Sequence, residues 1–517
     1  MSEPLTGPTA QSVTREAPST HVELRLSRSG LRGWQVELAR ALSRLRGTSV
    51  GATWSGSPLS PPPAPERLLG LERRLHRLPP AGSARADPRQ LEGLAVVRPE
   101  AGRMIWLDLT GSPDESTRGW SVRFDGSVGE PAAAAALSSG RFPVVEVVDA
   151  AGNVITSGRP GSERPGITAA ALDDVLAGCV TLVVAAVRGT PLRLPESLVE
   201  QTEQGERDGP PPAWRAVRML ARTPAMRAYR AVYRTPHWRV GWRFVDGEGL
   251  VDSMRHPASG WNDLPDDGHH FYADPFPLEV DGRTYLFVED FDHRVGRGVI
   301  SVVEFDERGP LGTPVCALTH DVHLSYPFVL EDDGERWMIP ETSGAGTVEL
   351  YRATGFPTSW TLDSVLLRDL DASDVTPFRH EGRWWLSATV RAGGSCSDAL
   401  HLWYADSLRG PWTPHEHNPV VLDISSARPA GRVVQRAGRL FRPAQDGAGG
   451  YGSAVTLTEI VHLDPAGYEQ RLVARLAAGD GWSGRRLHTL NRAGRLEVID
   501  GSSQSARFPI KRLPGRR

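Results

Sequence analysis

A hairpin pattern that recurs five times between residues 271 and 500 constrains the fold of this chain more than any other feature. Each copy has an apolar strand, a tight turn with glycine and a second apolar strand, as in ADPFPLEVDGRTYLFVED at 273–290. The turn glycines, roughly 50 residues apart, are Gly282, Gly334, Gly382, Gly438 and Gly494. This interval is typical of four-stranded propeller blades. A two-sheet sandwich is the alternative, but it does not need five equivalent copies, so the sequence predicts an all-β five-bladed propeller over 237–505.

The region before the repeats mixes strand and helix patterns. HVELRL at 21–26 and RMIWLDLTG at 103–111 are typical of strands, and 141–158 of a hairpin. Apolar residues at helical spacing predict helices over 34–45 and 168–187. The sequence therefore predicts an α/β N-terminal domain.

The remaining segments are expected to be connectors and tails. The polar start of the chain predicts a disordered tail over 1–20, before the α/β domain at 21–194. A charged, proline-punctuated stretch followed by a basic helical pattern predicts a linker with a helix over 195–236. Residues 506–517 are expected to form a basic tail.

Composition narrows the classes of partner. The 517 residues carry a formal net charge of −3, which argues against a nucleic-acid or anionic-membrane binder. Three scattered cysteines indicate neither a disulfide framework nor a zinc site. The first 20 residues lack the apolar core of a signal peptide, and the most apolar run, 180–187, is too short to span a bilayer. We therefore expect a cytoplasmic protein without a transmembrane segment, and the oligomeric state stays open.

The repeat predicts a polar site in the propeller channel. The first strand of each blade lines that channel, so its starting residues, and those that end the second strands, gather at one mouth. The starting residues are Asp274, Tyr326, Asp374, Arg428 and His488. The second strands end in Glu289, Asp290, Glu341, Arg442, Gln445 and Asp446. Carboxylates beside aromatic rings suit a sugar, and paired carboxylates cleave glycosidic bonds. The alternative is that an aspartate before proline only caps a turn.

Metal and cofactor signals are weak. His269, His270 and Asp274 are close in sequence, but their spacing fits no common metal site. No GxGxxG follows a strand and no GxxxxGK[ST] is present, so no nucleotide loop is indicated. We expect neither a metal nor a cofactor.

Several segments of 237–505 resemble known propellers. ADPF with its glycine hairpin resembles the five-bladed arabinanase, levansucrase and invertase superfamily. FYADPF, LSYPFV with WMIPETS, DVTPF with GRWWL, SARPAG, GRLFRPAQD and LHTLN with GRLEVIDG resemble, as an ordered set, the propeller-like N-terminal domain of plant glucosamine inositolphosphorylceramide transferase and its bacterial relatives. In the plant proteins this domain adjoins a glycosyltransferase domain, to which the transferase chemistry belongs.

The resemblance to the superfamily implies roles for individual residues. Asp274 matches the residue that acts as general base or nucleophile, and Asp374 matches the aspartate that modulates pKa or binds substrate. The superfamily's general acid is a glutamate near the start of blade four, where this chain has Arg428. Glu341 is the candidate replacement. Tyr326, Arg428, Arg442, Gln445, Asp446 and His488 are then predicted to bind substrate, with the arginines facing a phosphate or uronate; if the arginines instead pair with Asp374 or Asp446, they stiffen the ring.

Together these features predict a carbohydrate-active protein. The first hypothesis is an enzyme acting on a glycosidic or glycosyl-phosphate bond in glycoconjugate synthesis or modification. Its partner would be a sugar, sugar phosphate or glycoconjugate. The second is a non-catalytic glycan- or glycolipid-binding propeller. The N-terminal domain faintly resembles a formyltransferase-like domain without the catalytic set, so we expect no formyl transfer.

Overall fold

The structure is a computed structural model. It describes residues 19–55, 64–93, 102–111, 119–194, 225–257, 259–479, 482 and 484–507. The predicted tail at 1–20 lies outside the described residues except for its last two, and Thr20 already begins the first strand. Most of the predicted linker and nearly all of the basic tail also lie outside them; within the linker, 225–232 are helical.

The N-terminal region contains one mixed sheet and four α-helices. Its strands are β1 (Thr20–Ser27), β2 (Thr48–Ser55), β3 (Arg103–Asp108), β4 (Trp120–Phe124), β5 (Ser127–Val128), β6 (Val145–Val148) and β7 (Val154–Gly158). Its helices are α1 (Gly33–Ser43), α2 (Ala64–His76), η1 (Pro88–Leu91, 3₁₀), α3 (Glu130–Ser138) and α4 (Thr168–Arg188).

Side-chain alternation explains how this sheet buries its core. The strand order is β2-β1-β3-β4-β6-β7, with β5 beside β4. Strands β2, β1, β3 and β4 are parallel to one another, β6 pairs antiparallel with β4, and β7 pairs antiparallel with β6. Val22, Leu24 and Leu26 alternate along β1 and pack in one core with apolar residues of α1 and α4. The strands and helices predicted from sequence are therefore present, whereas α2, which follows a proline-rich stretch, was missed.

Helix α4 is long and apolar enough to cross a membrane by length and composition alone. It has 21 residues and a mean hydropathy of 2.0 over its most apolar window. The run that was expected to be too short, 180–187, is only a part of this longer helix. However, 72% of that window is buried inside the molecule, as in a core helix.

Five sheets form the blades of the propeller. From the innermost strand outward, blade one consists of β11 (His270–Val280), β12 (Arg283–Asp292), β13 (Arg297–Asp306) and β14 (Gly309–Pro310), with β15 (Val315–Leu318) beside β13, and blade two consists of β16 (Ser325–Asp332), β17 (Glu335–Glu341), β18 (Thr347–Gly355) and β19 (Ser359–Arg368). Blade three consists of β20 (Ala372–His380), β21 (Arg383–Val390), β22 (Ala399–Ala405) and β23 (Thr413–Pro414), with β24 (Val421–Leu422) beside β22, and blade four consists of β25 (Val434–Arg436), β26 (Arg439–Asp446), β27 (Ala454–Asp464) and β28 (Gly467–Ala477). Blade five consists of β29 (Leu490–Ala493), β30 (Leu496–Ser502), β9 (Trp238–Phe244) and β10 (Asn262–Asp263).

Short elements complete this part of the chain. They are β8 (Tyr233–Arg234) paired with β31 (Ser505–Ala506), helix α5 (Leu250–Ser253) and η2 (Ser343–Ala345, 3₁₀). The five blades confirm the propeller predicted from the glycine spacing.

The repeated turn has a conformation that glycine favours. In blade one, Val280 pairs with Arg283, which leaves Asp281 and Gly282 as a two-residue turn with φ of 50° and 75°. Positive φ at both positions is the primed turn that matches strand twist. Blades two to four repeat it at 333–334, 381–382 and 437–438.

The fifth blade closes the ring. Its outer strands β9 and β10 come from residues before blade one, and its inner strands β29 and β30 come from the end of the repeats. β9 pairs antiparallel with β30 along seven residues, from Trp238↔Ser502 to Phe244↔Leu496. Closure removes the free sheet edges that an open array would expose.

The N-terminal region packs directly on blade three. Arg159 and Asp423 form a parallel bridge and an ion pair of 3.0 Å, and Gly161 donates its backbone N–H to Asp398 at 2.8 Å. Leu422 and Ile424 of the propeller belong to the same apolar core as α4. At Gly158 a Cβ would lie 2.8 Å from the Leu422 carbonyl oxygen, so glycine permits this close approach.

Candidate functional site

The first three inner strands carry the same irregularity at their channel ends. Each has a register shift, between Ala273 and Phe276 in β11 and at the matching positions of β16 and β20. Within these bulges Asp274, Tyr326 and Asp374 have φ of 47°, 44° and 56°. Positive φ is strained for a residue with a side chain, above all for tyrosine, and such bulges re-aim side chains. Three of the predicted site residues therefore share the same bulged backbone conformation at the ends of their strands.

Asp274 is surrounded by donors from blades two and five. Its carboxylate accepts hydrogen bonds from the Thr489 hydroxyl at 2.9 Å and the Tyr326 backbone N–H at 3.2 Å. His488 Nε2 lies 3.4 Å from Oδ1. Burial raises the pKa of Asp274, His488 opposes this, and Asp500 adds to it. Asp274 is thus held in place by the protein on both carboxylate oxygens.

His488 links two buried carboxylates. Its Nδ1 lies 2.6 Å from Asp500, and its Nε2 faces Asp274. Burial alone would lower the pKa of His488, but Asp500 and Asp274 outweigh it and hold the pKa above its usual value. The ring also stacks on Trp238 with centroids 4.2 Å apart. A protonated imidazole therefore balances the charge on this side of the channel.

Asp374 is held by groups from blade four. Arg428 donates from Nε to Oδ2 at 2.6 Å and from Nη2 to Oδ1 at 3.4 Å, and Gln445 Nε2 donates to Oδ2 at 2.6 Å. Burial raises the pKa of Asp374 to about 8, against the lowering by Arg428. This ion pair is the alternative that the sequence left open for Arg428, beside its predicted contact with substrate.

Glu341 accepts hydrogen bonds on both oxygens. The Asp374 backbone N–H donates to Oε2 at 3.0 Å, and the Ser343 hydroxyl donates to Oε1 at 2.8 Å. Arg428 Nη2 lies 3.8 Å from Oε2. Glu341 is thus held by the backbone of blade three and by Ser343, with Arg428 nearby, and its role as general acid stays a prediction.

Three other residues that were predicted to bind substrate instead contact other protein groups of the propeller. Arg442 is fully buried and donates to the carbonyl oxygens of Ser426 and Ala427, so its guanidinium does not face the channel as expected. Asp446 is bound by Arg475 at 2.6 Å. The Tyr326 hydroxyl is fully buried, lies 2.9 Å from Thr376 and accepts from the Gly431 N–H at 2.7 Å. Their predicted substrate contacts stay without support.

Tyr451 is a channel residue that the sequence analysis missed. It lies in the glycine-rich loop between β26 and β27, and 40% of its surface is exposed. Its ring lies 5.4 Å from the Arg428 guanidinium carbon and contacts His488 edge-on with centroids 5.3 Å apart. The signal that could have identified it is GAGGYG, an aromatic residue among four glycines next to the strand that carries Gln445.

One trio in the channel has the spacing of a metal site. Asp274, His488 and Asp500 offer ligand atoms within 4.8 Å of one another. Both nitrogens of His488 already face carboxylates, and Asp500 also accepts the Thr489 N–H at 2.8 Å. Both nitrogens of His488 therefore already have carboxylate partners within the trio, and the expected absence of a metal stays a prediction.

Comparison with known proteins locates relatives of the propeller. Residues 263–501 match the family described as glucosamine inositolphosphorylceramide transferase 1, N-terminal. The chain is 36% identical over 251 residues to glucosamine inositolphosphorylceramide transferase 1 of Oryza sativa subsp. japonica, which covers 45% of this chain and 33% of that protein. The Arabidopsis thaliana protein of the same name is 35% identical over 230 residues, covering 42% and 30%. The chain thus spans about a third of the length of these relatives, and the resemblance seen in its motifs is confirmed for this region.

Two glycoside hydrolases are among the solved structures that are similar to part of this chain. Zg3597, a family 117 glycoside hydrolase from the marine bacterium Zobellia galactanivorans, is 14% identical with a TM-score of 0.33, covering 51% of this chain and 90% of that one. The GH43_1 enzyme from Xanthomonas citri complexed with xylotriose is 14% identical with a TM-score of 0.32, covering 44% and 82%.

Proposed function

We propose that the propeller channel is a carbohydrate-active site that acts on a glycosidic or glycosyl-phosphate bond in glycoconjugate synthesis or modification. The observation that carries this proposal is the convergence of Asp274, Glu341 and Asp374 at one channel mouth, each from a different blade. Separate carboxylates with different surroundings are the equipment of glycosyl chemistry.

The aromatic and cationic groups of the channel suit a sugar ring. Tyr451 offers an exposed face beside Arg428. Sugars have apolar ring faces and polar edges, so a ring with nearby charged donors and acceptors matches them. In this proposal Asp274 acts as base or nucleophile, while Asp374 with Arg428 positions the substrate.

The names of the relatives suggest which sugars to try first. They describe a transferase of glucosamine and inositolphosphorylceramide. A glucosamine-containing glycolipid or its inositol-phosphate head is therefore the proposed ligand class, and the cytoplasmic location and the formyltransferase-like identity of the N-terminal region remain proposals too.

One observation favours a second candidate, a glycan-binding module without catalysis. Both aspartates already have several protein partners: Asp274 has Thr489 and Tyr326, and Asp374 has Arg428 and Gln445. A carboxylate with several hydrogen-bond donors around it can still orient a ligand, but it is a weaker nucleophile or base than one without them.

Calorimetry against sugars, sugar phosphates, nucleotide sugars and inositol phosphates tests the proposal. Wild type, Asp274→Asn and the control Asp363→Asn are compared, because Asp363 lies on β19 and pairs with Arg409 on the outer surface. We expect a ligand that binds wild type and the control, with turnover lost only in Asp274→Asn. Binding without turnover in any variant supports the binding module, and no binding across the panel contradicts both.

A further inference from the structure

Glu289 is a channel carboxyl with no role in the chemistry proposed above. It lies near the end of β12 opposite Ala273, next to the bulge that carries Asp274. The residue is 8% exposed. Among the residues that the structure describes, the one basic side chain at ion-pair distance from it is His323, whose Nε2 lies 3.3 Å from Oε1.

The hydrogen bonds of His323 show that it is not a cation. Its Nδ1 accepts the backbone N–H of Gly298 at 2.8 Å, so Nδ1 carries no proton. The ring proton is then on Nε2, which faces Glu289. Burial lowers the pKa of His323, in agreement with a neutral ring. The neutral ring of His323 therefore faces Oε1 of Glu289 and does not neutralise a negative charge there.

The other charged groups around Glu289 are acidic or already paired. The carboxyls that act on it come from four neighbouring strands: Asp274 on β11, Glu341 on β17, Asp374 on β20 and Asp500 on β30. The two cations of the channel are engaged elsewhere, His488 by Asp500 and Asp274, and Arg428 by Asp374. Burial raises the pKa of Glu289 well above its usual value, and Asp274 and Glu341 raise it further. Burial and these neighbouring carboxyls therefore favour the protonated, neutral form of Glu289.

We propose that Glu289 is the proton donor of this site, in place of the glutamate that Arg428 replaces, and that the substrate is a glycoside with an alcohol leaving group. This inference rests on the proposed function and makes it more specific. A phosphate leaves as a stable anion and needs no acid, whereas an alkoxide needs a proton as it departs. A neutral carboxyl in the channel therefore favours a glycosidic bond over a glycosyl phosphate.

In the proposed step, proton transfer from Glu289 accompanies cleavage of the glycosidic bond. The O–H bond of Glu289 breaks and its proton passes to the glycosidic oxygen, while the bond between that oxygen and the anomeric carbon breaks and its electron pair stays on oxygen. A water or hydroxyl of an acceptor forms the new bond to the anomeric carbon. Asp274 takes the proton that this nucleophile loses, and the proton returns to Glu289 through solvent.

Infrared spectroscopy tests the neutral carboxyl without any substrate. We expect the spectrum of wild type at pH 7 to contain the C=O stretch of a protonated Glu289 beside that of other buried carboxyls such as Asp374, and the spectrum of Glu289→Gln to lack that one component. The matched control is Glu341→Gln, a glutamate at the corresponding strand end of blade two, which should retain that band. Glu289→Asp keeps a carboxyl and checks that the Gln spectrum does not reflect misfolding. A difference spectrum between folded wild type and Glu289→Gln that contains no C=O band of a protonated carboxyl overturns the inference.

Kinetics on glycosides with different leaving groups test the donor role. The probes are methyl and dinitrophenyl glycosides of glucosamine, N-acetylglucosamine, galactose, xylose and arabinose. General acid catalysis contributes about 10²–10⁴-fold, so Glu289→Gln should lose that factor on methyl glycosides and less than about 10-fold on dinitrophenyl glycosides, whose leaving group needs no proton. An equal loss on both overturns the donor role. A protonated Glu289 with no turnover of any probe by wild type contradicts the proposed function instead.

Discussion

On each of the two sides of the channel a buried aspartate lies beside a cation, and the cations differ. On one side Asp274 faces His488, an imidazole that can release its proton; on the other, Asp374 pairs with Arg428, a guanidinium that stays charged. Each aspartate also has one uncharged side-chain donor, Thr489 and Gln445 respectively. We call the Asp274 side adjustable because its cation can lose its proton, and the Asp374 side fixed because its cation cannot; the two aspartates are therefore suited to different tasks.

The largest effect is expected from breaking the fixed side. In Arg428→Met, Asp374 keeps Gln445 but loses its cation in a buried position. Removing one partner of a buried ion pair costs about 3–5 kcal/mol, so we expect the free energy of unfolding to fall by about that amount in chemical denaturation at pH 8. The double variant Arg428→Met/Asp374→Asn should recover much of the loss. A loss below about 1 kcal/mol contradicts the assignment.

Breaking the adjustable side should cost less. In His488→Gln, Asp274 retains the Thr489 hydroxyl and the Tyr326 N–H, and Asp500 retains the Thr489 N–H. We expect a loss of about 2 kcal/mol, within the range for a buried polar group that loses its partner. The measurement is denaturation beside Arg428→Met at the same pH. A loss larger than that of Arg428→Met reverses the comparison.

The pH dependence should separate the two sides. The pKa of His488 is raised in the folded state, so the native protein binds its proton more tightly than the unfolded chain does. Its contribution to stability is complete below about pH 6.5 and is lost as pH rises through the folded pKa, at about 1.4 kcal/mol per unit of pKa difference. The buried Asp374, with its pKa raised to about 8, adds a decline in the same direction. Denaturation of wild type from pH 6 to 9 should show this decline, and His488→Gln should flatten it more than the control Asp363→Asn does.

The smallest effects are expected from the two uncharged donors. Thr489→Val and Gln445→Met each remove a side-chain hydrogen bond to a buried carboxyl, of 2.9 Å and 2.6 Å respectively. We expect each to lower the free energy of unfolding by about 1 kcal/mol, measured by denaturation with both variants made in the same background. If either loss equals that of the cation on its side, charge is not what balances the aspartates.

The sequence predicted the ring well because its signal is local. The two-residue turn needs positive φ, so glycine marks every blade, and alternation places the strands on either side of it. The starts of the inner strands gave Asp274, Asp374, Arg428 and His488, which the structure brings to the same channel.

The sequence could not predict which face of a second strand turns to the channel. Gln445 reaches Asp374, whereas Arg442 turns to buried carbonyl oxygens within its own blade. This choice depends on blade twist and on the neighbouring blade, neither of which has a sequence period. Tyr451 was missed for a related reason, since the course of a loop is set by its surroundings and not by its pattern.

Ring closure by β9 and β30 has a consequence for how the chain becomes folded during synthesis. The blade that closes the ring needs residue 238 and residue 502, so it is completed last although its outer strand is made first. Until the ribosome has released the last repeat, β9 pairs with β10 but lacks its inner partner β30, and the earlier blades have an unsealed edge. The same geometry means that the ring has no preferred starting blade: a permuted gene that begins at an exposed hairpin turn, with 238 and 502 joined within one blade, should encode the same propeller.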